Sequence, residues 1–446
     1  MTHLSSKVNI ADMDSRPQQS AVVTTSTVWY RFSQCLLLLL AICYVLQIAS
    51  PLRINPDALI LLSMGDSAAH GSNILFGGPK TLFPPGYPLL LDILMRAGLA
   101  HSWTIITLNL IFLSVGLYAT YSLMIFEFFN DRTIVLLICS FILLSFVVVK
   151  HITIPLTDVP FFGCSISCLA VLNLATKANG RRCFIVLAVL ACILVIAALF
   201  IRRAGVALLP PFIFMIVSSS QLKSTLKSMS GRAKLVIITI CAVMCIGMVL
   251  VVIKTFTLSD LAGEVKNFKI SVLVIRTLHY RFKELGMLMV NCPLLKMPVY
   301  FQIITEWIGS ILFILVLYGL ITRQKKIDTS AVYLISYMGI LFMWPYPDAR
   351  FWLPVIPLLT AYFVLAVKRF RLPMFATMTY YVIYAMLGFA AIAYSTRISY
   401  AGSAFPDRYA DGSLKSTYCA AFKTCLDSGD PTTINSWALR LIRDYQ

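Results

Sequence analysis

The chain has 446 residues, 59% hydrophobic and 13% charged, with a mean hydropathy of +0.84. That is more apolar surface than one soluble core can bury, so a soluble enzyme is excluded and a polytopic membrane protein is expected. The net charge of +18 would suit nucleic acid, but the Lys and Arg gather in alternate loops between apolar runs, where they orient helices instead, and no nucleic-acid partner is expected.

A mostly polar stretch up to Arg31 precedes the first apolar run, and no clean small-residue cleavage site follows it. The run is therefore expected to be a retained transmembrane helix and not a cleaved signal. Spans of about 17 to 25 residues place apolar helices near 33–51, 103–126, 133–149, 159–176, 183–201, 204–217, 235–253, 302–321, 330–345, 352–367 and 374–394. The predicted fold class is thus all-α, a polytopic bundle of about 11 transmembrane helices with juxtamembrane helices on one side. Three parts follow: an N-terminal segment 1–32, a membrane domain 33–394 and a tail 395–446.

Arg16 and Arg31, Arg132, the Lys177/Arg181/Arg182 cluster, Lys223/Lys227/Arg232/Lys234, Arg323/Lys325/Lys326 and Lys368/Arg369/Arg371 fall in alternate connections. By the positive-inside rule these are cytoplasmic, which puts the N-terminus inside and the C-terminus outside. Between the spans, 258–296 mixes charged and apolar residues, as an interfacial amphipathic helix or two would. Of the twelve cysteines only Cys292, Cys419 and Cys425 fall in extracytoplasmic segments, and CAAFKTC has the spacing of a small disulfide loop.

The extracytoplasmic side also collects the unusual polar sequences. These are GDSAAHGSNILFGGPKTLFPPGYPLLL (65–91), HITIPLTDVPFF (151–162), IRRAG (201–205) and WPYPDARFWLPVIP (344–357). Polar groups near membrane depth are expensive, so their gathering at one face points to a site. An Asp soon after the first helix, Pro-Pro-Gly-Tyr-Pro some twenty residues later, Thr-Asp-Val-Pro at a helix start and Arg-Phe-x-x-Pro-x-x-Pro opening a late helix resemble the GT-C membrane glycosyltransferases. The closest type is the protein-O-mannosyltransferase and aminoarabinose-transferase group. The resemblance covers roughly the first 370 residues in order and topology.

That resemblance implies a bacterial inner-membrane enzyme that takes a sugar from a polyprenyl-phosphate donor, with inversion, and gives it to a lipid, glycan or protein acceptor among the membrane lipids. It implies Asp66 as the catalytic base. The residue after it is Ser67, where the family often has a second acid, so a metal-bridged carboxylate pair is not expected there; a divalent cation stays open as an alternative to no cofactor. The chemistry needs a base for the acceptor hydroxyl, positive charge for the departing phosphate and a partly dehydrated pocket. Asp66 and Asp158 are the base candidates, while Lys80, Arg202, Arg203, His279, Arg281 and Arg350 are the phosphate candidates. His70, Tyr87 and Tyr346 are candidates for the substrate wall, and Trp344 and Trp352 could stack on a sugar or anchor the interface.

Structural alternatives stand beside each. Asp66 in Gly-Asp-Ser-Ala-Ala-His and Asp158 before a proline both read as helix caps, Arg202 and Arg203 as snorkelling side chains, and Arg350 as a neutralising partner of Asp348. Pro84, Pro85 and Pro88 fix backbone direction. A transporter or flippase, or a polymerase or ligase using a whole lipid-linked glycan, is the alternative function.

Overall fold

The structure, a computed structural model, describes residues 16–70, 83–178, 180–218, 270–294, 297–323, 328–344, 346–371, 373–410, 412–424 and 434–445. Regular structure among them is helical throughout. Seven described helices are long and apolar enough to cross a membrane: Thr27–Ala49, Ser102–Phe128, Asp158–Thr176, Arg181–Ile201, Val299–Thr322, Ala349–Phe370 and Phe375–Ser399. Three shorter apolar helices, Arg132–Leu144, Arg203–Ser218 and Thr329–Met343, fall on predicted spans as well. The predicted span 235–253 lies outside the described residues.

In chain order the helices are α1 (Arg16–Val45), α2 (Pro56–Ala69), α3 (Gly86–Arg96), α4 (Ser102–Leu123), α5 (Arg132–Leu144), α6 (Phe146–His151), α7 (Asp158–Thr176), α8 (Arg181–Ile201) and α9 (Leu209–Ser218). After the undescribed segment come α10 (Ile270–Val290), α11 (Val299–Thr322), α12 (Thr329–Met343), α13 (Ile356–Phe370) and α14 (Met374–Ser399). The tail adds α15 (Phe405–Tyr409), α16 (Gly412–Phe422) and α17 (Ser436–Asp444).

The predicted span 133–149 is two helices. Ser145 is extended, with φ −62° and ψ 127°. Buried Asn291 repairs the break: its side chain accepts from Phe146 N at 2.8 Å and donates to Leu144 O at 3.0 Å and Tyr384 O at 3.1 Å. Such groups would otherwise be unpaired in an apolar interior, at a cost of several kcal/mol each. The span predicted from 352 opens as a 3-10 turn, Ala349–Val355, that contains Pro354. Proline removes one backbone donor and so favours a non-α start.

The segment read as an interfacial amphipathic helix is α10 in its described part, and it packs along α11 at backbone contact. A Cβ on Gly309 would lie 1.8 Å from Phe282 O, and one on Gly286 1.8 Å from Thr305 O. Only glycine permits such a crossing, the small-residue packing common between membrane helices.

Two apolar cores form. The larger joins the long helices. The smaller gathers Leu52, Ile54, Leu61 and Leu62 around α2, Tyr87 and Leu91 of α3, and Phe405, Tyr418, Leu441, Ile442 and Tyr445 of the tail. The tail is therefore packed onto α2 and α3. Cys419 is disulfide-bonded, while Cys425 lies outside the described residues.

Candidate active site

The chain leaving α1 is fixed before it reaches the site. Buried Arg53 donates to Ser50 Oγ at 3.1 Å, Ser395 Oγ at 3.1 Å, Ser395 O at 2.9 Å and Ser399 Oγ at 2.7 Å. Burial lowers its pKa to about 10, so it stays charged at neutral pH. Tyr418 Oη donates to Leu52 O at 2.6 Å and accepts from Ile54 N at 2.9 Å. Asn55 then caps α2, its side chain accepting from Ala58 N at 2.8 Å. Pro56 occupies a first-turn position and Asp57 is the acidic residue of that turn, an arrangement that favours a helix start.

Four loops at the same end of the bundle meet here. Asp158, the first residue of α7, is 2% exposed and ion-paired with Arg202 at the end of α8 through Oδ1. Its Oδ2 lies 3.9 Å from Arg350 Nη1. Arg350 is also ion-paired with Asp57, and its Nε lies 3.0 Å from Asp348 Oδ2, although this contact is misaligned for a hydrogen bond. Asp348 Oδ1 accepts from the Arg350 backbone N–H at 3.0 Å, starting the 3-10 turn. Three carboxylates thus surround two guanidiniums. His151 ends α6 beside them: burial lowers its imidazole below the usual value, opposed by the charges of Asp158 and Asp348, while Nδ1 is bonded to Val147 O at 2.7 Å.

Phe351 orders the cations. Its ring centroid lies 5.0 Å from the Arg202 guanidinium carbon, 5.3 Å from that of Arg350 and 5.9 Å from that of Arg281, all within cation–π range. Beneath the loop, fully buried Arg281 pairs with Glu284 at 2.5 Å and donates to Trp344 O at 3.0 Å and Tyr346 O at 2.5 Å. Glu284 accepts from Trp352 Nε1 at 2.7 Å. α10 therefore grips both sides of the turn that carries Arg350.

The opposite end of the bundle carries Arg132, Lys177, Arg181, Arg182, Arg323 and Lys368. There Arg323 lies 2.6 Å from Asp328 and 3.6 Å from Glu127, and Ser330 donates to Glu127 at 2.6 Å.

The predicted site residues divide accordingly. Asp158, Arg202 and Arg350 come together, and the capping alternative for Asp158 is not realised, since Thr157 is the cap residue and makes no side-chain cap bond. Asp66 stands elsewhere. It is the eleventh residue of α2, not its cap, and nine residues beyond Asp57, which at 3.6 residues per turn is 2.5 turns and the opposite helix face. Its carboxylate pairs with Arg440 of α17 and with His70 at 3.3 Å.

His279 is bonded to Glu306 at 2.7 Å, between α10 and α11. Arg281 spends its contacts on Glu284 and the loop carbonyls, and Tyr87 is wholly buried, so neither presents a free face to a substrate. Gly86 brings Tyr87 there: a Cβ on it would lie 2.5 Å from Phe200 O, so the PPGYP turn seats α3 on the end of α8. Arg203 follows Arg202 in the 3-10 turn Arg203–Leu208, Tyr346 is 46% exposed beside Trp344, and Lys80 lies outside the described residues. Asp57, Asp348, His151 and Phe351 join the cluster without having been singled out for the chemistry. Asp57 was legible only as the acidic first-turn residue of Asn-Pro-Asp.

No protein-family profile matches the chain, and no curated protein matches it. Solved structures do, two membrane enzymes among them. The crystal structure of ArnT from Cupriavidus metallidurans in the apo state matches with TM-score 0.45 and 13% identity, over 90% of this chain and 69% of that one. The archaeal oligosaccharyltransferase AglB from Archaeoglobus fulgidus, in complex with an inhibitory peptide and a dolichol-phosphate, matches with TM-score 0.47 and 11% identity, over 93% of this chain and 64% of that one. Both belong to the GT-C superfamily that the sequence motifs resemble.

Proposed function

We propose that this protein is a membrane glycosyltransferase that moves a sugar from a polyprenyl-phosphate donor to an acceptor hydroxyl on the extracytoplasmic side. The observation that carries the reading is the convergence of Asp57, Asp158 and Asp348 on Arg202 and Arg350 at one end of the helical bundle. The basic loops lie at the other end, which by the positive-inside rule is cytoplasmic. Reporter fusions after Arg182 and Ser413 are expected to read cytoplasm and exterior; a cytoplasmic signal at Ser413 would take the cluster off the extracytoplasmic face.

The three carboxylates have different freedom. Both Asp158 oxygens face arginines and its side chain is 2% exposed; Asp348 is 36% exposed but its Oδ1 is held by the Arg350 backbone N–H; the Asp57 side chain is 32% exposed and meets Arg350 by the ion pair. Asp158 is therefore the anchor shared by the two guanidiniums, and Asp57 is the partner that can leave. A donor phosphate entering the site competes with Asp57 for Arg350 through a charge-assisted contact, for which the forked guanidinium is suited. The released Asp57 carboxylate then takes the proton of the acceptor hydroxyl. The hydroxyl oxygen bonds to the anomeric carbon from the face opposite the phosphate. The bond from that carbon to the phosphate oxygen breaks with both electrons passing to the oxygen, where Arg350 and Arg202 meet the charge. The product is inverted, and the lipid leaves as polyprenyl phosphate.

A lipid-borne donor also has a place for its tail. A cavity of about 1030 Å³ opens among α1, α5, α13 and α14, lined by apolar side chains such as Leu36, Phe141 and Phe389. Its wall includes Ile356, directly after the turn that carries Arg350, and Lys368 twelve residues on. At 1.5 Å per residue that is a run of about 18 Å down the bundle.

Mass spectrometry of lipid-linked sugars and envelope glycans, with and without the protein, tests the reading. An accumulating polyprenyl-phosphate sugar paired with a missing glycan modification is expected. Identical profiles under conditions where the protein is made would count against it.

A further inference from the structure

Asp66 and Arg440 form an ion pair that the proposed chemistry does not use. Asp66 is 5% exposed and lies in the last turns of α2; Arg440 projects from α17, with its guanidinium 4.7 Å from the Trp437 ring. The helix they hold is the one that presents Asp57; its other end carries its own cap, Asn55, and meets the bundle through the Asp57–Arg350 pair. The tail also supplies the apolar surface on which α2 lies, through Tyr418, Leu441, Ile442 and Tyr445. Tyr445 O further accepts from Ser102 N at 2.7 Å, tying the end of α17 to the start of α4.

We propose that the Asp66–Arg440 pair is a positioning latch, by which the C-terminal tail fixes the tilt of α2 and so the distance between Asp57 and the Arg350 guanidinium. The inference rests on the transferase reading for its catalytic consequence but not for its structural one. The nine residues from Asp66 to Asp57 form a lever of about 13.5 Å. A tilt of about 4° at the latch therefore moves Asp57 by about 1 Å, and a displacement of that size at a reacting group is worth up to about a hundredfold in rate. An apolar contact alone tolerates such a tilt, since non-directional packing changes little over it; a buried carboxylate paired with a guanidinium of the tail, beside its contact to His70 at the end of its own helix, does not. Asp66 and Asp57 act on opposite faces of one helix, so the tail and the membrane bundle set its position from both sides.

The test uses purified full-length protein with Asp66→Asn, Arg440→Gln, Arg440→Lys and the Asp66→Asn/Arg440→Gln double variant. Hydrogen exchange of the peptide covering 56–69 is expected to quicken in the first two and in the double variant, with Arg440→Lys close to wild type. With a polyprenyl-phosphate sugar as donor, kcat is expected to fall roughly tenfold to a hundredfold in both single variants, with donor KM within about twofold and the double variant no worse than either single one. Unchanged exchange in 56–69 would overturn the latch, whether or not the protein transfers sugar. So would wild-type kcat in the loosened variants, additive losses in the double variant, or a far greater loss in Asp66→Asn than in Arg440→Gln, which would give Asp66 a chemical role of its own. If the wild-type protein turned over no donor, the transferase reading would fail and the exchange result would still decide the latch.

Discussion

Asp57→Asn is expected to reduce sugar transfer by about 10²–10⁴-fold, the usual worth of a positioned general base, while leaving the protein folded and able to bind donor. Asparagine keeps the shape of the side chain and one oxygen that can accept from Arg350, but it cannot take a proton from the acceptor. The helix start does not depend on it, because the capping bond comes from Asn55. Donor affinity should hold or rise slightly, since the phosphate no longer competes with a charged carboxylate for Arg350. The check is kcat and donor Kd measured on the same preparation. A loss confined to Kd with kcat intact would make Asp57 a binding residue and leave the base unassigned. Asp158→Asn should behave differently: both arginines lose their shared anchor, so donor affinity and thermal stability fall together with turnover.

Arg350→Ala carries the second large effect. It removes the charge that meets the departing phosphate, and loss of one such preorganised contact costs about 10²–10³-fold in rate. Ground-state donor binding should weaken as well, by about 1.5–3 kcal/mol for a charge-assisted hydrogen bond. Asp57 and Asp348 would be left facing each other with one cation fewer, so part of the loss will be repulsion of the incoming phosphate. Lys at this position restores the charge but not the forked contacts to Asp57, Asp158 and Asp348, and should rescue only part of the activity. Steady-state kinetics with isothermal or fluorescence donor titration separates the two contributions. Unchanged donor affinity and turnover in Arg350→Ala would reduce the residue to a partner of its aspartates.

The membrane bundle was legible because bilayer thickness imposes a length on every apolar run, and ten of the eleven predicted spans fall on described helices. What hydropathy does not register is how a span begins or breaks. The gap at Ser145 depends on Asn291, 146 residues away in sequence, and the 3-10 start at Ala349 depends on Asp348 and Pro354.

The cluster was legible in part for the same reason. Asp158, Arg202 and Arg350 each stand where a short loop meets an apolar run, where a charge is conspicuous. Asp57 was hidden by its setting. Asn-Pro-Asp reads fully as a helix start, and the motif of an Asp soon after the first helix fits Asp57 and Asp66 alike. Spacing cannot choose between two residues on one helix; only the tertiary partners do, Arg350 for the one and Arg440 for the other. Arg440 lies 374 residues from Asp66, and nothing in the pattern of the tail announces that it returns to α2. Glu284, and the structural use of Arg281, were obscured in the opposite way. Their helix is amphipathic enough to pass for a surface element, and their burial follows from the glycine contacts that draw α10 onto α11.

The most direct measurement is release of polyprenyl phosphate from a polyprenyl-phosphate sugar by the purified protein in proteoliposomes, supplied with envelope glycan and lipid extract as acceptor and followed by mass spectrometry. A panel of hexose, pentose and aminosugar donors covers the sugar. The account predicts that at least one donor is converted, with the sugar recovered on an acceptor in inverted configuration, and that conversion is lost in Asp57→Asn. Conversion by Asp57→Asn at the wild-type rate, or no conversion of any donor by folded wild-type protein alongside transmembrane movement of the intact lipid-linked sugar, would contradict it.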